Sequence, residues 1–465
     1  MTEITDYCPL LSKFRASSPK ASIPNGEHFK IVSTGSNCRI VSKDDDTPTE
    51  VHVKFSPLID PIHYLAGKTK FSSCSAAPVP SPDCDDEVTC RPENSSYVDG
   101  YAYRMLSDFA QKKGFVHAPR HYASLTGRMD EFALDLDEDV EYVLDSSFFN
   151  KNEGNLFKIV GAGPRRSRRA GMTPLELGDV LGSESEIVSP NSRSSSSVSS
   201  PCSSRSSNTF SGSGSDDESE SCEMEPAILI KDMPVHAIIM EKCSGTLDEL
   251  LLSRALSEDQ FRAAIAQVCL SLAGMQKGFG LTHNDLHTNN IMYVDTDIPE
   301  LNYRFDGSEY KVPTFGRIYK IIDFGRAIYT VHGETVYSDS FFKKGDAATQ
   351  YNTGPFYNPE KARVDPNFSF DLCRLGCSLC EFATPGGEST REFIDHLCRD
   401  DKGRHMMHKS TGEERYPDFK LYKMIARSVH NKTPSDILTL AYFNRFRCSL
   451  LAEDPVFDID ALDHQ

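Results

Sequence analysis

The residues best equipped for chemistry in this chain are two carboxylates and an amide set among apolar neighbours. Asp285 lies within His283-Asn284-Asp285-Leu286-His287-Thr288-Asn289-Asn290, so Asn290 follows it by five positions. Asp323 ends an apolar run, Ile321-Ile322-Asp323-Phe324-Gly325. Transfer of a phosphoryl group needs an acceptor hydroxyl held in line and cations that neutralise developing charge. Mg²⁺ prefers hard oxygen ligands of this kind. Asp285 suits the hydroxyl, while Asp323 and Asn290 suit the metal.

Such groups must be brought together by elements far apart in sequence. Residues 51–55 alternate like a strand, and 97–113 carry Tyr103, Leu106, Phe109 and Ala110 at helical spacing. A short apolar strand at 237–240 enters a Ser244-Gly245 turn. Helices are expected at 247–252 and 258–277, the second capped by Ser257. Strands at 291–294 and 318–322 should flank an extended hairpin over the polar stretch 295–316, and the pattern from Phe370 onward is mostly helical. Strands dominate before residue 243 and helices after it, which is an α+β arrangement in two lobes.

At 465 residues the chain exceeds one compact core. No apolar run approaches membrane-spanning length and the N-terminus lacks a basic-then-apolar signal, so a soluble protein is expected. A formal charge of −18 argues against a general nucleic-acid-binding surface. The 14 Cys show no framework spacing and read as reduced thiols. Cys373, Cys377 and Cys380 fall on one helix face and read as packing, because no His or second Cys pair completes a zinc ligand set beside them. Cys74, Cys84 and Cys90 receive no role. Nineteen of the thirty-nine residues from 183 to 221 are Ser, too little apolar surface to offset ordering entropy, so this stretch should be disordered. Arg165-Arg166-Ser167-Arg168-Arg169 reads as a solvated basic loop, with a nuclear address as the other reading, and Ser215 and Ser219 read as phosphoacceptors beside acidic residues or as part of a solubilising linker.

With these motifs in order, the chain resembles the eukaryotic-type Ser/Thr protein kinases, and more narrowly the divergent kinases of large cytoplasmic DNA viruses. The narrower likeness rests on Thr-His-Asn-Asp-Leu-His at 282–287, Ile-Ile-Asp-Phe-Gly-Arg-Ala at 321–327, and the long polar insertions. The resemblance implies a two-lobed kinase-like fold. Residues 1–27 would be an N-terminal extension and 28–242 a β-rich N-lobe with an insertion at 128–225, disordered at about 183–225. Residues 243–465 would be a helical C-lobe.

The resemblance also implies site roles. Ser33-Thr34-Gly35-Ser36-Asn37-Cys38-Arg39-Ile40 is similar to the phosphate-binding glycine loop but keeps only its middle Gly, giving Ser33, Gly35, Ser36 and Ile40 as nucleotide contacts. Lys54 matches the strand lysine that holds the α- and β-phosphates. Its helix partner is Asp99, with Glu93 as the other candidate. Met240 matches the gatekeeper, and Glu241 and Cys243 the backbone groups that read adenine. Asn284 replaces the usual Arg, so activity is not expected to require a phosphate on the activation segment. His287 stands where a Lys is usual. Thr353 matches the Thr that touches the catalytic Asp, and Asn358-Pro359-Glu360 the end of the activation segment, with Arg445 or Arg447 as partner of Glu360. Asp371-Leu372-Cys373-Arg374-Leu375-Gly376 matches the helix whose Asp braces the catalytic loop. His283, Phe324 and Tyr103 match the spine that couples the lobes.

The implied cofactors are ATP and Mg²⁺, and the implied partners are proteins phosphorylated on Ser or Thr, virion or host proteins among them. No nucleic-acid or membrane partner is expected, and the chain is expected to be a monomer in host cytoplasm or packaged in the virion, ahead of the nucleus. Small-molecule kinases of the aminoglycoside and choline type share His-x-Asp-Leu-His-x-x-Asn, and a pseudokinase scaffold is a further alternative. Deleting 183–221 should leave the thermal unfolding midpoint and basal catalysis unchanged; a lowered midpoint in a thermal melt would contradict the disordered-segment reading.

Overall fold

A computed structural model of the chain describes residues 1–17, 29–33, 39–42, 48–69, 71, 77–84, 86–135, 143, 146–161, 227–354 and 357–464. The expected disorder at 183–225 and the basic cluster at 165–169 lie outside the described residues.

The strands are β1 (Thr2–Thr5), β2 (Phe29–Ser33), β3 (Arg39–Ser42), β4 (Thr49–Pro57), β5 (His121–Asp135), β6 (Phe157–Val160), β7 (Ala227–Glu241), β8 (Gly245–Thr246), β9 (Ile291–Asp295), β10 (Glu300–Phe305), β11 (Ser308–Pro313), β12 (Arg317–Ile321), β13 (Tyr329–Val331), β14 (Glu334–Val336) and β15 (Val456–Asp458). The helices are α1 (Pro9–Ser17), α2 (Pro61–Leu65), α3 (Ser95–Lys113), α4 (Ser147–Asn152), α5 (Leu247–Leu252), α6 (Glu258–Phe279), α7 (Phe370–Leu379), α8 (Glu388–Leu397), α9 (Lys420–Ser428) and α10 (Pro434–Leu438). The chain is thus mixed α+β, β-rich at its N-terminal side and helical at its C-terminal side, compatible with a two-lobed kinase-like fold.

Seven strands form the N-terminal sheet in the order β1-β5-β7-β4-β3-β2, with β6 also on β7. β4 runs antiparallel to the C-terminal half of β7, setting Lys54 opposite Ile238. The expected short strand at 237–240 is only the end of this longer β7. Residues 128–135 continue β5, and 157–160 pair with β7, so part of the presumed insertion extends the sheet.

α3 packs beside this sheet because its start and stop are both specified. Asn94 caps it by accepting from the Ser96 amide at 3.1 Å, and its side-chain amide donates to the Leu58 carbonyl at 2.8 Å, tying the helix to the end of β4. Gly114, at φ 75°, closes the helix, its amide donating a hydrogen bond to the Ala110 carbonyl.

On the helical side, α5 and α6 begin with capping boxes at Thr246 and Ser257, as the Ser257 reading expected. β9 and β12 pair antiparallel, and β10–β11 form the expected hairpin between them. What the polar pattern did not reveal is that β15, near the C-terminus, adds to that hairpin in parallel.

The expectation of reduced thiols fails at one place: Cys84 and Cys90 form a disulfide. Asp86 accepts from the Val88 and Thr89 amides at 2.9 and 2.8 Å, and this local turn brings the two sulfurs together despite their irregular spacing.

α7 lies against α8 with Gly376 at the crossing. A Cβ at Gly376 would overlap the Cβ of Leu397, so only hydrogen fits there. Gly376→Ala should therefore destabilise the chain by about 1–3 kcal/mol through overpacking, measurable as a lowered midpoint in urea unfolding.

Candidate functional site

The site is built around one buried cation. The Lys54 ammonium lies 2.8 Å from Asp99 on α3 and 2.9 Å from Asp323 after β12. Burial disfavours its charge, but Asp323 and Asp99 together raise its pKa above the ordinary value. Burial likewise pushes the Asp323 carboxyl up, and the Lys54 ammonium overrides this and holds it down to about 2. Burial keeps the Asp99 carboxyl above its usual range despite the attraction of Lys54. The alternative between Asp99 and Glu93 is thereby decided. Glu93 serves instead through its backbone carbonyl, which accepts from the Asp339 amide at 2.6 Å.

Asp99 does a second job that its spacing could not show. Its other oxygen accepts from the Phe324 amide at 2.7 Å, while the Tyr103 hydroxyl accepts from the Asp323 amide at 2.8 Å. One turn of α3 therefore holds Asp323 in its left-handed conformation, φ 65°. Phe324 packs edge-on against Tyr103 at 5.2 Å and beside His283 at 5.4 Å, bringing together the three expected spine residues. His283 is fixed by a bond between Nε2 and the Ile322 carbonyl at 2.8 Å.

Asp371, fully buried on α7, accepts from the His283 and Asn284 amides, both at 2.8 Å. This brace was expected. Asn284, at φ 65°, spends its side chain on Thr282, Arg326 and the Tyr351 hydroxyl, so it ties the loop to the following segment without charge. Asn290 donates to the Asp285 carbonyl at 3.0 Å, which leaves its amide oxygen as the group suited to a metal. His287 lies 3.1 Å from the Asn290 amide nitrogen and feels both Asp285 and Asp323, so these groups share one site. Burial lowers the His287 pKa despite those carboxylates.

Sequence reasoning missed the partners of Asp285. Arg326 donates to one oxygen at 3.1 Å and also holds Asp346 at 2.6 Å. The Tyr422 hydroxyl, on α9, donates to the other at 2.6 Å and accepts from Arg374 at 2.9 Å. Arg326 directly follows the Asp-Phe-Gly run and was legible as a cation in place, but Tyr422 is far away in sequence with no local signal.

Among the expected nucleotide contacts, Met240 is buried at the end of β7 and Ile40 is buried on β3. The Glu241 carboxylate takes Lys320 at 2.9 Å and the Arg120 amide at 3.0 Å, which pins the strand end. Cys243 follows it, half-buried, its thiol pushed up to about 12 by burial. Ser33 ends β2, and Gly35 and Ser36 lie outside the described residues.

Two expectations are corrected. Thr353 does not touch Asp285; its hydroxyl donates to Asp365 at 2.5 Å. The side chains that Asp285 meets are those of Arg326 and Tyr422. Glu360 is exposed, and neither arginine reaches it: Arg445 pairs with Asp259 and Arg447 donates to the Leu438 carbonyl at 3.1 Å.

Comparison with known proteins agrees with this geometry. The chain is 29% identical over 103 residues to the mouse (Mus musculus) serine/threonine-protein kinase haspin, covering 22% of this chain and 14% of that protein. The bovine (Bos taurus) haspin is 28% identical over 103 residues, covering 22% and 13%. A Frog virus 3 (isolate Goorha) protein, provisionally named serine/threonine-protein kinase 019R, is 31% identical over 91 residues, covering 18% and 10%. The chain is kinase-like. It matches only 10–14% of the length of these relatives, and no family model matches it.

The Asp285 cluster has a pH signature. Burial pushes this carboxyl up, but Arg326 foremost, then His287, Arg374 and the Tyr422 hydroxyl, hold it below its ordinary value. A lowered folded-state pKa means the ionised group stabilises the fold fully above the unfolded value of about 3.9, and that contribution fades as pH falls through the lower folded value. Tyr422→Phe should cost about 1–3 kcal/mol at pH 7 by leaving buried partners unmet. Urea unfolding at several pH values should show this difference shrinking in acid.

Proposed function

We propose that the chain is an ATP- and Mg²⁺-dependent serine/threonine protein kinase. The observation that carries this is Lys54 held between Asp99 and Asp323 in the same site as Asp285 and Asn290. When bound, MgATP supplies the transferable phosphoryl group and the cations that offset its charge. Asp323 and Asn290 offer the hard oxygens a magnesium ion prefers, and Lys54 offers the cation for phosphate oxygens. Met240, Glu241, Cys243 and Ile40 are the residues proposed to line the adenine, with Ser33, Gly35 and Ser36 on the phosphate side.

Asp285 orients the acceptor hydroxyl and takes its proton. Its carboxylate has about four acceptor positions, so Arg326 and Tyr422 leave capacity for a substrate hydroxyl. Arg326, directly after the Asp323-Phe324-Gly325 run, keeps Asp285 ionised. No phosphate is needed to set this up, because Asp346, Tyr351 and the Arg427 bonds to the Thr349 and Gln350 carbonyls already hold the segment.

A protein substrate is favoured over an amino-sugar because Asp371 on α7 braces the loop as it does in protein kinases. The Frog virus 3 likeness supports a large-DNA-virus setting, and we extend it to action by a monomer on virion or host proteins in host cytoplasm. Asp323→Ala should abolish phosphate transfer from radiolabelled ATP to a casein-type protein while the wild-type chain is active. Transfer to aminoglycosides and not to protein would favour the small-molecule reading, and absence of any MgATP-induced thermal shift would favour the scaffold.

A further inference from the structure

α7 carries a second constellation, at the opposite end from Asp371. Cys377 and Cys380 sit at its C-terminal end, a Cys-x-x-Cys spacing that packing on one helix face does not require. The fold brings a third thiol and an imidazole to them. Ligand atoms of Cys380, Cys398 and His405 all lie within 4.8 Å of one another. The Cys380 and Cys398 sulfurs are 3.2 Å apart, and the buried Cys377 lies beside them, near Cys398 and near Cys373 on its own helix. The sequence alone offered no His or second Cys pair beside these residues; the tertiary structure brings Cys398 and His405 to them.

The loop presenting Cys398 and His405 is built to hold them. The Met406 amide donates to the Cys398 carbonyl at 2.7 Å, and Arg399 and His405 face each other as a bridge pair. Asp400 accepts from the Lys402 and Arg404 amides at 2.9 and 2.8 Å, closing the turn through Gly403 at φ 76°. The Met407 amide donates to His405 Nδ1 at 3.1 Å, which orients the ring and leaves Nε2 as the nitrogen for a metal; Asp395, 3.9 Å from Nε2, is too far to hydrogen-bond it.

We propose that Cys377, Cys380, Cys398 and His405 bind a structural zinc ion that joins the end of α7 to the loop after α8. Three thiolates and one imidazole are a closed, four-coordinate zinc set with no open position for chemistry. Borderline-soft zinc suits this donor set, whereas magnesium does not. Deprotonation of the thiols on binding releases protons to solvent, and no redox change occurs. The ion would hold α7 in place from one end while Asp371 braces the catalytic loop from the other.

The test uses the full chain, purified in reductant without chelators from zinc-supplemented cells. Elemental mass spectrometry should find about one zinc per chain, falling to background in Cys380→Ser and in His405→Ala, with Cys448→Ser unaffected. His405 is only half-buried, so its variant tests the idea should Cys380→Ser fail to fold. In the wild-type chain, a zinc chelator should lower the unfolding midpoint and expose Cys380 to alkylation. A zinc-free, folded wild-type chain would overturn the proposal, whether Cys380 and Cys398 are then found as free thiols or as a disulfide.

Discussion

A lysine ammonium out of water must have its charge met, and this structure is arranged around meeting it. Taking an ion from water costs several kcal/mol, and Lys54 recovers that only because two carboxylates from distant segments converge on it. Asp99 arrives on α3 and Asp323 at the end of β12, so the buried charge fastens the sheet, the helix and the catalytic strands to one another. Removing either carboxylate strands part of that charge.

Further bonds radiate from the same point. The oxygens of Asp99 divide between Lys54 and the Phe324 amide, so the residue that neutralises the lysine also fixes the backbone after Asp323. Tyr103, one helical turn on, fixes Asp323 itself. The neighbouring Arg326 carries the connection to Asp285, and Tyr422 and Arg374 extend it into α9 and α7. Charge, aromatic packing and backbone bonds thus support one arrangement of the site.

Local pattern made much of this readable. The capping residue Ser257 marked the start of α6, period-two alternation marked β4, and the polar gap before β12 marked the hairpin. Asp285, Asn290 and Asp323 stood out because polar groups beside apolar runs need a reason to be there. Thr353 and Glu360 were misread because motif spacing says which residues may approach, not which neighbour wins the contact. Asp365 sits nearer to Thr353, and Glu360 remains in solvent. The disulfide between Cys84 and Cys90 was hidden because a turn, rather than spacing, brings the sulfurs together.

What the amino-acid sequence determined unaided is the identity and order of the chemical groups, and the helices and strands that carry them, since periodicity and capping are local properties. Only the tertiary structure decided partnership: Asp99 over Glu93 for Lys54, Arg326 and Tyr422 around Asp285, and Cys398 with His405 beside Cys377 and Cys380. These contacts join residues up to 137 positions apart, and a separation of that size leaves no trace in local pattern. Burial then sets their strength, because a charge or thiol among apolar neighbours must take whichever partner the packing delivers.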